Sequence, residues 1–306
     1  MALLILNILF VLFIPLLLTG AIKKVKSLWT GRKGPSIIQP FHDVIRLLKK
    51  GEVVSVTASY IFSLAPVISL AAVIAAALLV PLTGHKAMFS FNGDFIVFSY
   101  FLALSKFFTI IGGMDTGSSF EGMGCSREAT FSTVAEPGFF IIIASLSYAV
   151  GYKSFSEILS ALHAAGSFSF LLGLLTAAAL FIFMLAEACR IPVDDPATHL
   201  ELTMIHEVMA LDNSGPDFAF ILYGSSLKLF LFASVIANIL IPSGLSSALA
   251  VLVFLSTIFA ISAMVGLIES IIARLRMTHV PQLLFMAPAI GMIIFFIVIM
   301  GIKNIL

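Results

Sequence analysis

Phe218-Ala-Phe-Ile-Leu-Tyr-Gly-Ser-Ser-Leu-Lys228-Leu-Phe-Leu-Phe-Ala-Ser-Val-Ile-Ala-Asn-Ile-Leu-Ile241 contains a single charged side chain, that of Lys228. A helix needs about 20 apolar residues to cross the hydrocarbon core of a bilayer, and only helices and closed barrels satisfy their backbone polar groups there. The alternating polarity of barrel strands is absent, so this stretch reads as a membrane-spanning helix. Working outward from it, comparable apolar runs occur at about 3–22, 60–82, 94–112, 129–150, 168–187, 246–270 and 282–304. The expected fold is all-α: a polytopic membrane protein with eight transmembrane helices, forming a single membrane domain over 1–306.

Composition agrees. Of 306 residues, 60% are hydrophobic and 11% charged, with a mean hydropathy of +1.14. Ordinary soluble domains carry about 25% charge, so a soluble enzyme is excluded. A net charge of +1 leaves no basic footprint for nucleic acid. Cys125 and Cys189 are too few to hold an iron–sulfur cluster or an all-cysteine zinc site. Lys23, Lys24 and Lys26 follow the first apolar run instead of preceding it, the reverse of a secretory signal, so that run is expected to be a retained helix.

Eight spans put the segments 23–59, 113–128, 188–217 and 271–281 on one side. These hold twelve of the seventeen Lys and Arg residues, against three on the other side and two inside spans. By the positive-inside rule they are cytoplasmic loops, and both termini face outward. The chain is therefore expected in the cell (cytoplasmic) membrane as a multi-pass protein. Within 23–59, Phe41, Val44, Ile45 and Leu48 recur at helical spacing, which predicts a short amphipathic helix on the membrane surface after the first span, with Lys49 and Lys50 toward lipid headgroups.

Catalytic motifs fail. His199 and His206 are not spaced as HExxH, and the glycine-rich stretch Gly112–Gly124 lacks the Gly-Lys-Ser/Thr end of a phosphate loop. What stands out is ionisable groups in costly places, which usually face the protein interior and carry function. Glu136 lies inside a span beside Pro137 and Gly138, Lys228 near the middle of another, and Glu187 closes a third. Lys106 and Glu187 are also close enough to helix ends to snorkel. In 188–217, Asp195-Pro196 reads as a cap followed by Pro at the first helical position, predicting a helix over 196–210 with His199, Thr203, His206 and Glu207 on one face and Glu201 nearly opposite.

These segments together resemble the respiratory complex I subunit 1 family. The resemblance is carried by Gly31-Arg-Lys-Gly-Pro35 with Gln39-Pro40, Asp43 and Leu47-Leu48. It continues in Gly113-Met-Asp-Thr-Gly117 with Ser126-Arg-Glu-Ala129, in Ala135-Glu-Pro137, and in Glu187-Ala-Cys-Arg-Ile-Pro-Val-Asp194. That family includes the membrane subunits of energy-converting NiFe-hydrogenases and formate hydrogenlyases. Complex I members typically continue Arg-x-Pro-Phe-Asp-Leu-x-Glu-Ala-Glu, whereas Arg190-Ile-Pro-Val-Asp194-Asp195-Pro-Ala-Thr-His199-Leu-Glu201 is similar to the hydrogenase branch.

The resemblance implies a membrane-embedded coupling subunit that binds no cofactor itself. The 4Fe-4S clusters and the NiFe centre would lie in partner subunits: an iron–sulfur small subunit and a peripheral hydrogenase-like large subunit, beside antiporter-like membrane subunits and lipid. The implied proton pathway comprises Glu136, Glu187, Asp194, Asp195, His199, Glu201, His206, Glu207, Lys228 and Lys106. The implied docking residues are Arg32, Gln39, Asp43, Arg46, Asp115, Glu121, Arg127, Glu128, Arg190, Asp212, Arg274 and Arg276. Two other readings stand beside it: the quinone-binding subunit 1 of an NADH dehydrogenase-like complex, and a stand-alone ion or solute transporter using Glu136 and Lys228.

Overall fold

The structure is a computed structural model that describes residues 2–82, 87–151, 154–161, 167–194, 204–241 and 245–303. Among them it is entirely helical. The helices are α1 (Ala2–Trp29), α2 (Gln39–Leu48), α3 (Tyr60–Ala77), α4 (Asp94–Asp115), α5 (Ser119–Val150), α6 (Phe155–Ala161), α7 (Ser167–Glu187), α8 (Gly215–Leu240), α9 (Ser247–Ile271) and α10 (Val280–Lys303), with a 3-10 turn at Glu207–Ala210. Seven of the described helices are long and apolar enough to cross a membrane: α1, α3, α4, α5, α8, α9 and α10. The apolar stretch described in α7, Leu171–Glu187, is shorter.

α8 is the central helix, packed by α1, α2, α3, α7 and α9, and its side chains are buried almost without interruption from Ser226 to Ile239. The other close pairs are α3 with α4, α5 with α10, and α1 with α9. In lipid such pairs hold by close packing and interhelical hydrogen bonds. Ser69 on α3 meets Ser105 at 2.7 Å and Thr109 at 3.2 Å on α4. At Gly138 on α5, a Cβ would lie 2.9 Å from the Pro288 ring of α10. Pro15 removes the donor that would have bonded the Val11 carbonyl in α1. Tyr223 of α8 replaces it, its hydroxyl donating to that oxygen at 2.8 Å.

Two expectations change. The loop expected over 113–128 is mostly helix, because α4 extends to Asp115 and α5 starts at Ser119, well before its apolar run. The helix expected over 196–210 is not present in its last turns: Met204–His206 are irregular and only Glu207–Ala210 form a 3-10 turn. The rest of that expectation, 195–203, lies outside the described residues. The amphipathic helix is found at Gln39–Leu48, and Gln39 and Asp43 are explained locally: Gln39 donates to Asp43 at 3.0 Å, and Arg46 pairs with it at 3.2 Å.

Segments from all four basic regions bond one another at one end of the bundle. Asp115 accepts from the Ser59 backbone N–H at 2.6 Å and its hydroxyl at 2.8 Å, capping α3. Leu275 N–H donates to the Pro192 carbonyl at 3.1 Å. Replacing Gly138 by Ala should force α5 and α10 apart and cost about 1–3 kcal/mol, the usual penalty of overpacking. The check is the thermal midpoint in detergent, with Gly122→Ala, where a Cβ meets nothing, as the neutral control.

Candidate functional site: a chain of buried charges

Just past the middle of α4, Lys106 is buried among three carboxylates. Its ammonium bonds Glu187 at the end of α7, and lies 3.5 Å from Glu136 and 3.9 Å from Glu128, both on α5. The side chains of Lys106, Glu128 and Glu187 are less than a tenth exposed, whereas that of Glu136 is about a third exposed at 35%. A charge inside a membrane protein is tolerated when it is paired, so Lys106 is the condition under which these acids can be held there.

The chain continues toward the loops. Glu128 Oε2 lies 3.2 Å from His206 Nε2, and His206 Nδ1 faces Asp194 at 3.8 Å. Asp194 is fixed from three directions, by the backbone N–H groups of Ile205 at 3.1 Å and His206 at 2.9 Å and by Arg274 at 2.9 Å. Arg274, Asp194, His206, Glu128, Lys106, Glu136 and Glu187 thus form one ionic chain from the loops into the bundle.

Glycines set its register. At Gly124 a Cβ would collide with Val208 at 2.3 Å and the Ile205 carbonyl at 2.9 Å, and at Gly113 with Cys125 Sγ at 2.8 Å. Only glycine lets the segment 205–209 lie this close to α4 and α5. Arg127 fastens the same segment, donating to the Met204 carbonyl at 2.8 Å. One helical turn beyond Gly124 comes Glu128, directly under His206.

Below the charges lies an aromatic layer. Phe98, Phe139, Phe183 and Phe232, from α4, α5, α7 and α8, pack with centroids 5.2–6.1 Å apart. Phe139, Phe183 and Phe232 each sit about one turn deeper than Glu136, Glu187 and Lys228 on their own helices. The chain therefore ends on an apolar floor. Two spaces adjoin it. A cavity of about 20 Å³, room for one water molecule, is lined by Lys106, Glu128, Ser132, Glu187 and His206. A groove of about 630 Å³ between α4 and α5 runs past Tyr100, Phe107, Thr133 and Glu136 with Lys106 at its base.

Of the residues expected on the proton pathway, Glu136, Glu187, Lys106, Asp194 and His206 come together. Glu207 opens the 3-10 turn, partly exposed. Lys228 is buried, yet no described carboxylate lies within 4 Å of it. Asp195, His199 and Glu201 lie outside the described residues. Among the expected docking residues, Arg32, Arg46, Asp212 and Arg276 are exposed, with Gln39 and Asp43 half-buried on α2.

The rest of that set turns inward. Glu128 sits inside the ionic chain, and Arg274 is spent on Asp194. Glu121 is fully buried and accepts from the Asp212 backbone N–H at 3.0 Å. Asp115 and Arg127 are held by the cap and the carbonyl described above. Arg190 is buried and pairs with Glu269 at 3.5 Å, which also meets Lys26 at 3.6 Å. Glu269 was not expected from the sequence. It stands at the end of an apolar run, where an acid looks like a simple boundary.

Burial pushes the Cys189 thiol of this loop above its ordinary value, and two further groups there have shifted acidities. Burial disfavours the imidazolium of His206, but Cys189, the Glu128 carboxylate and Asp194 outweigh it and raise its pKa well above the usual 6.5. Burial likewise opposes ionised Asp194, but His206, through its ring and backbone N–H, and Arg274 hold its carboxyl below the ordinary aspartate value. A raised histidine pKa stabilises the fold fully below about 6.5, and this contribution is lost as pH rises through the folded value. The thermal midpoint should therefore fall on the alkaline side, and His206→Gln should flatten that limb in a pH series. Lys106→Met leaves Glu136 and Glu187 without their cation, and Glu128 with His206 alone, and should cost about 3–5 kcal/mol in chemical denaturation.

The chain is similar to hydrogenase-4 component C of Escherichia coli, with 28% identity over 90% of this chain and 89% of that protein. It is similar to formate hydrogenlyase subunit 4 of the same organism, with 26% identity over 87% of this chain and 88% of that one. A subunit of the NADH-quinone oxidoreductase of Wolbachia pipientis is 28% identical over 66% of each chain. The fold is that of a chain in the structure of the membrane-bound sulfane sulfur reductase, an archaeal respiratory membrane complex, with a TM-score of 0.82 at 20% identity, covering 97% of this chain and 100% of that one. The NADH dehydrogenase family model matches residues 1–300, and the chain belongs to that family.

Proposed function

We propose that this chain is the membrane subunit of an energy-converting, hydrogenase-type complex, coupling a redox reaction in peripheral subunits to ion movement. The observation that carries the reading is the ionic chain from Arg274 to Glu136, which begins at the loops and ends beside an open groove. The similarity to components of hydrogenase-4 and formate hydrogenlyase supports the class of complex.

The mechanism follows from electrostatics. The loops that carry Asp194 and His206 face the peripheral iron–sulfur and NiFe subunits, whose clusters perform the electron transfer. A change of charge there alters the protonation of the nearest pair, His206 and Glu128, because a neighbouring charge shifts a buried pKa. Lys106 then meets a different number of ionised partners, and Glu136 and Glu187 respond. The Phe98–Phe139–Phe183–Phe232 layer blocks the direct route to the far side, so the proton leaves sideways at Glu136, toward an antiporter-like subunit seated on the α4–α5 groove. Asp195, His199, Glu201 and Glu207 are assigned to the same pathway from the sequence, and Lys228 joins it as a buried cation on α8. Docking falls to the exposed Arg32, Arg46, Asp212 and Arg276, with Gln39 and Asp43 holding α2 in place.

In the proposed arrangement the helix set makes eight crossings, α7 included, in the cytoplasmic membrane with both termini outside. Cysteine labelling should then place residue 200 inside and residue 306 outside; the same side for both removes the eight-span arrangement. Glu136→Gln keeps shape and hydrogen bonding but not the titrating proton. An assembled complex carrying it should lose ion translocation while its peripheral subunits stay bound. Normal gradient formation by that variant refutes the pathway through Glu136.

A further inference from the structure

The turn that carries Asp194 is fastened to α9 and the loop after it at three successive points. Arg190 pairs with Glu269 at 3.5 Å, Leu275 N–H donates to the Pro192 carbonyl at 3.1 Å, and Arg274 meets Asp194 at 2.9 Å. Inside the turn, the Arg190 carbonyl accepts from Val193 N–H at 2.9 Å and Asp194 N–H at 3.2 Å. Cys189, at a φ of 54°, takes the chain out of α7 immediately before it. Arg190 therefore acts on Asp194 twice over. Its backbone closes the turn, and its side chain fixes where the turn lies.

Glu269 holds this arrangement. Among the described residues it is the one partner of the Arg190 guanidinium, which is buried and whose Nε has no acceptor. The other partner of Glu269 is Lys26, near the end of α1, at 3.6 Å. The two cations differ in setting. The Lys26 side chain is 33% exposed and open to solvent screening, so that pair contributes little. The Arg190 and Glu269 side chains are 10% and 3% exposed, and a buried ion left without its partner is costly. Freed from Glu269, the guanidinium has to find another acceptor, and the turn moves with it.

We propose that Glu269 is a positioning residue: through Arg190 it places the Asp194 carboxylate against His206. Its purpose rests on the coupling role proposed above, in which His206 and Glu128 register the charge of the peripheral subunits. His206 is faced by Asp194 and Cys189 from the segment after α7 and by Glu128 from α5. Lys106 and Glu187 lie across the small cavity, and Arg274 stands behind Asp194. Of these, Asp194 is the ionised group on the turn that Arg190 holds, so loss of Glu269 moves one negative charge away from His206.

Nitrogen NMR of the full chain in nanodiscs, labelled at histidine, follows the titration of His206, assigned by its loss in His206→Gln. Glu269→Gln should lower that midpoint by about one pH unit, the low end of what a neighbouring opposite charge contributes. Arg190→Gln combined with Glu269→Gln should shift it by the same amount and no more, because both substitutions cut one link. The double variant also leaves no unpaired buried charge, which keeps the test open if Glu269→Gln alone does not fold. Lys26→Gln removes the other arm of Glu269 and should keep the parental midpoint. A parental midpoint in the double variant, or an equal shift in Lys26→Gln, overturns the proposal. Assembled complexes separate it from the coupling reading. There Glu269→Gln should move the alkaline limb of ion translocation to lower pH by the same shift. A moved His206 midpoint with an unmoved translocation profile upholds the positioning and rejects the coupling role.

Discussion

One buried cation shared by three carboxylates is the constraint on which the rest of this structure depends. Lys106 comes from α4, Glu128 and Glu136 from α5, and Glu187 from the end of α7. Three helices must therefore meet at one point in register, and the interior must stay dry enough for the attraction to be strong and wet enough for the charges to exist. Low dielectric acts in both directions: it strengthens the pairs and makes any unpaired group costly. A site of this kind is stable only while complete, and it responds sharply when one charge nearby changes.

The supporting structure serves that requirement. Gly113 and Gly124 are small so that the segment carrying His206 can lie on α4 and α5, which puts an imidazole over Glu128. Asp194 and Arg274 fix that segment from the other side, joining the loop after α9 to the loop after α7. Four phenylalanines on the deeper side of the charges pack into an apolar layer across α4, α5, α7 and α8. Apolar and polar residues thus divide the labour within single helices: on α5, α7 and α8 the charge and the ring are three or four residues apart.

Much of this was legible in the sequence, for identifiable reasons. Long apolar runs have few alternatives in a membrane, so the helices, and even the amphipathic α2, follow from hydropathy and spacing. Glu136, Glu187, Lys106 and His206 stand out because ionised groups inside apolar runs, or clustered beside them, need an explanation. What spacing along one chain could not reveal was which loop folds inward. Glu128, Arg190 and Arg274 lie in stretches that look like solvated loops, and they are pulled into the interior by partners on other elements: Lys106, Glu269 and Asp194. The helix expected over 196–210 fails at 204–206 because Asp194 captures the backbone N–H groups of Ile205 and His206, satisfying donors without a helix.

The most direct test is a redox-triggered infrared difference spectrum of the assembled complex, isotope-labelled at glutamate. The account predicts carboxyl changes on reduction of the peripheral centres that shift when Glu187 is replaced by Gln and disappear when Lys106 is replaced by Met. A spectrum with no glutamate signal, or one indifferent to both substitutions, would contradict the claim that electron transfer is felt by the acids around Lys106.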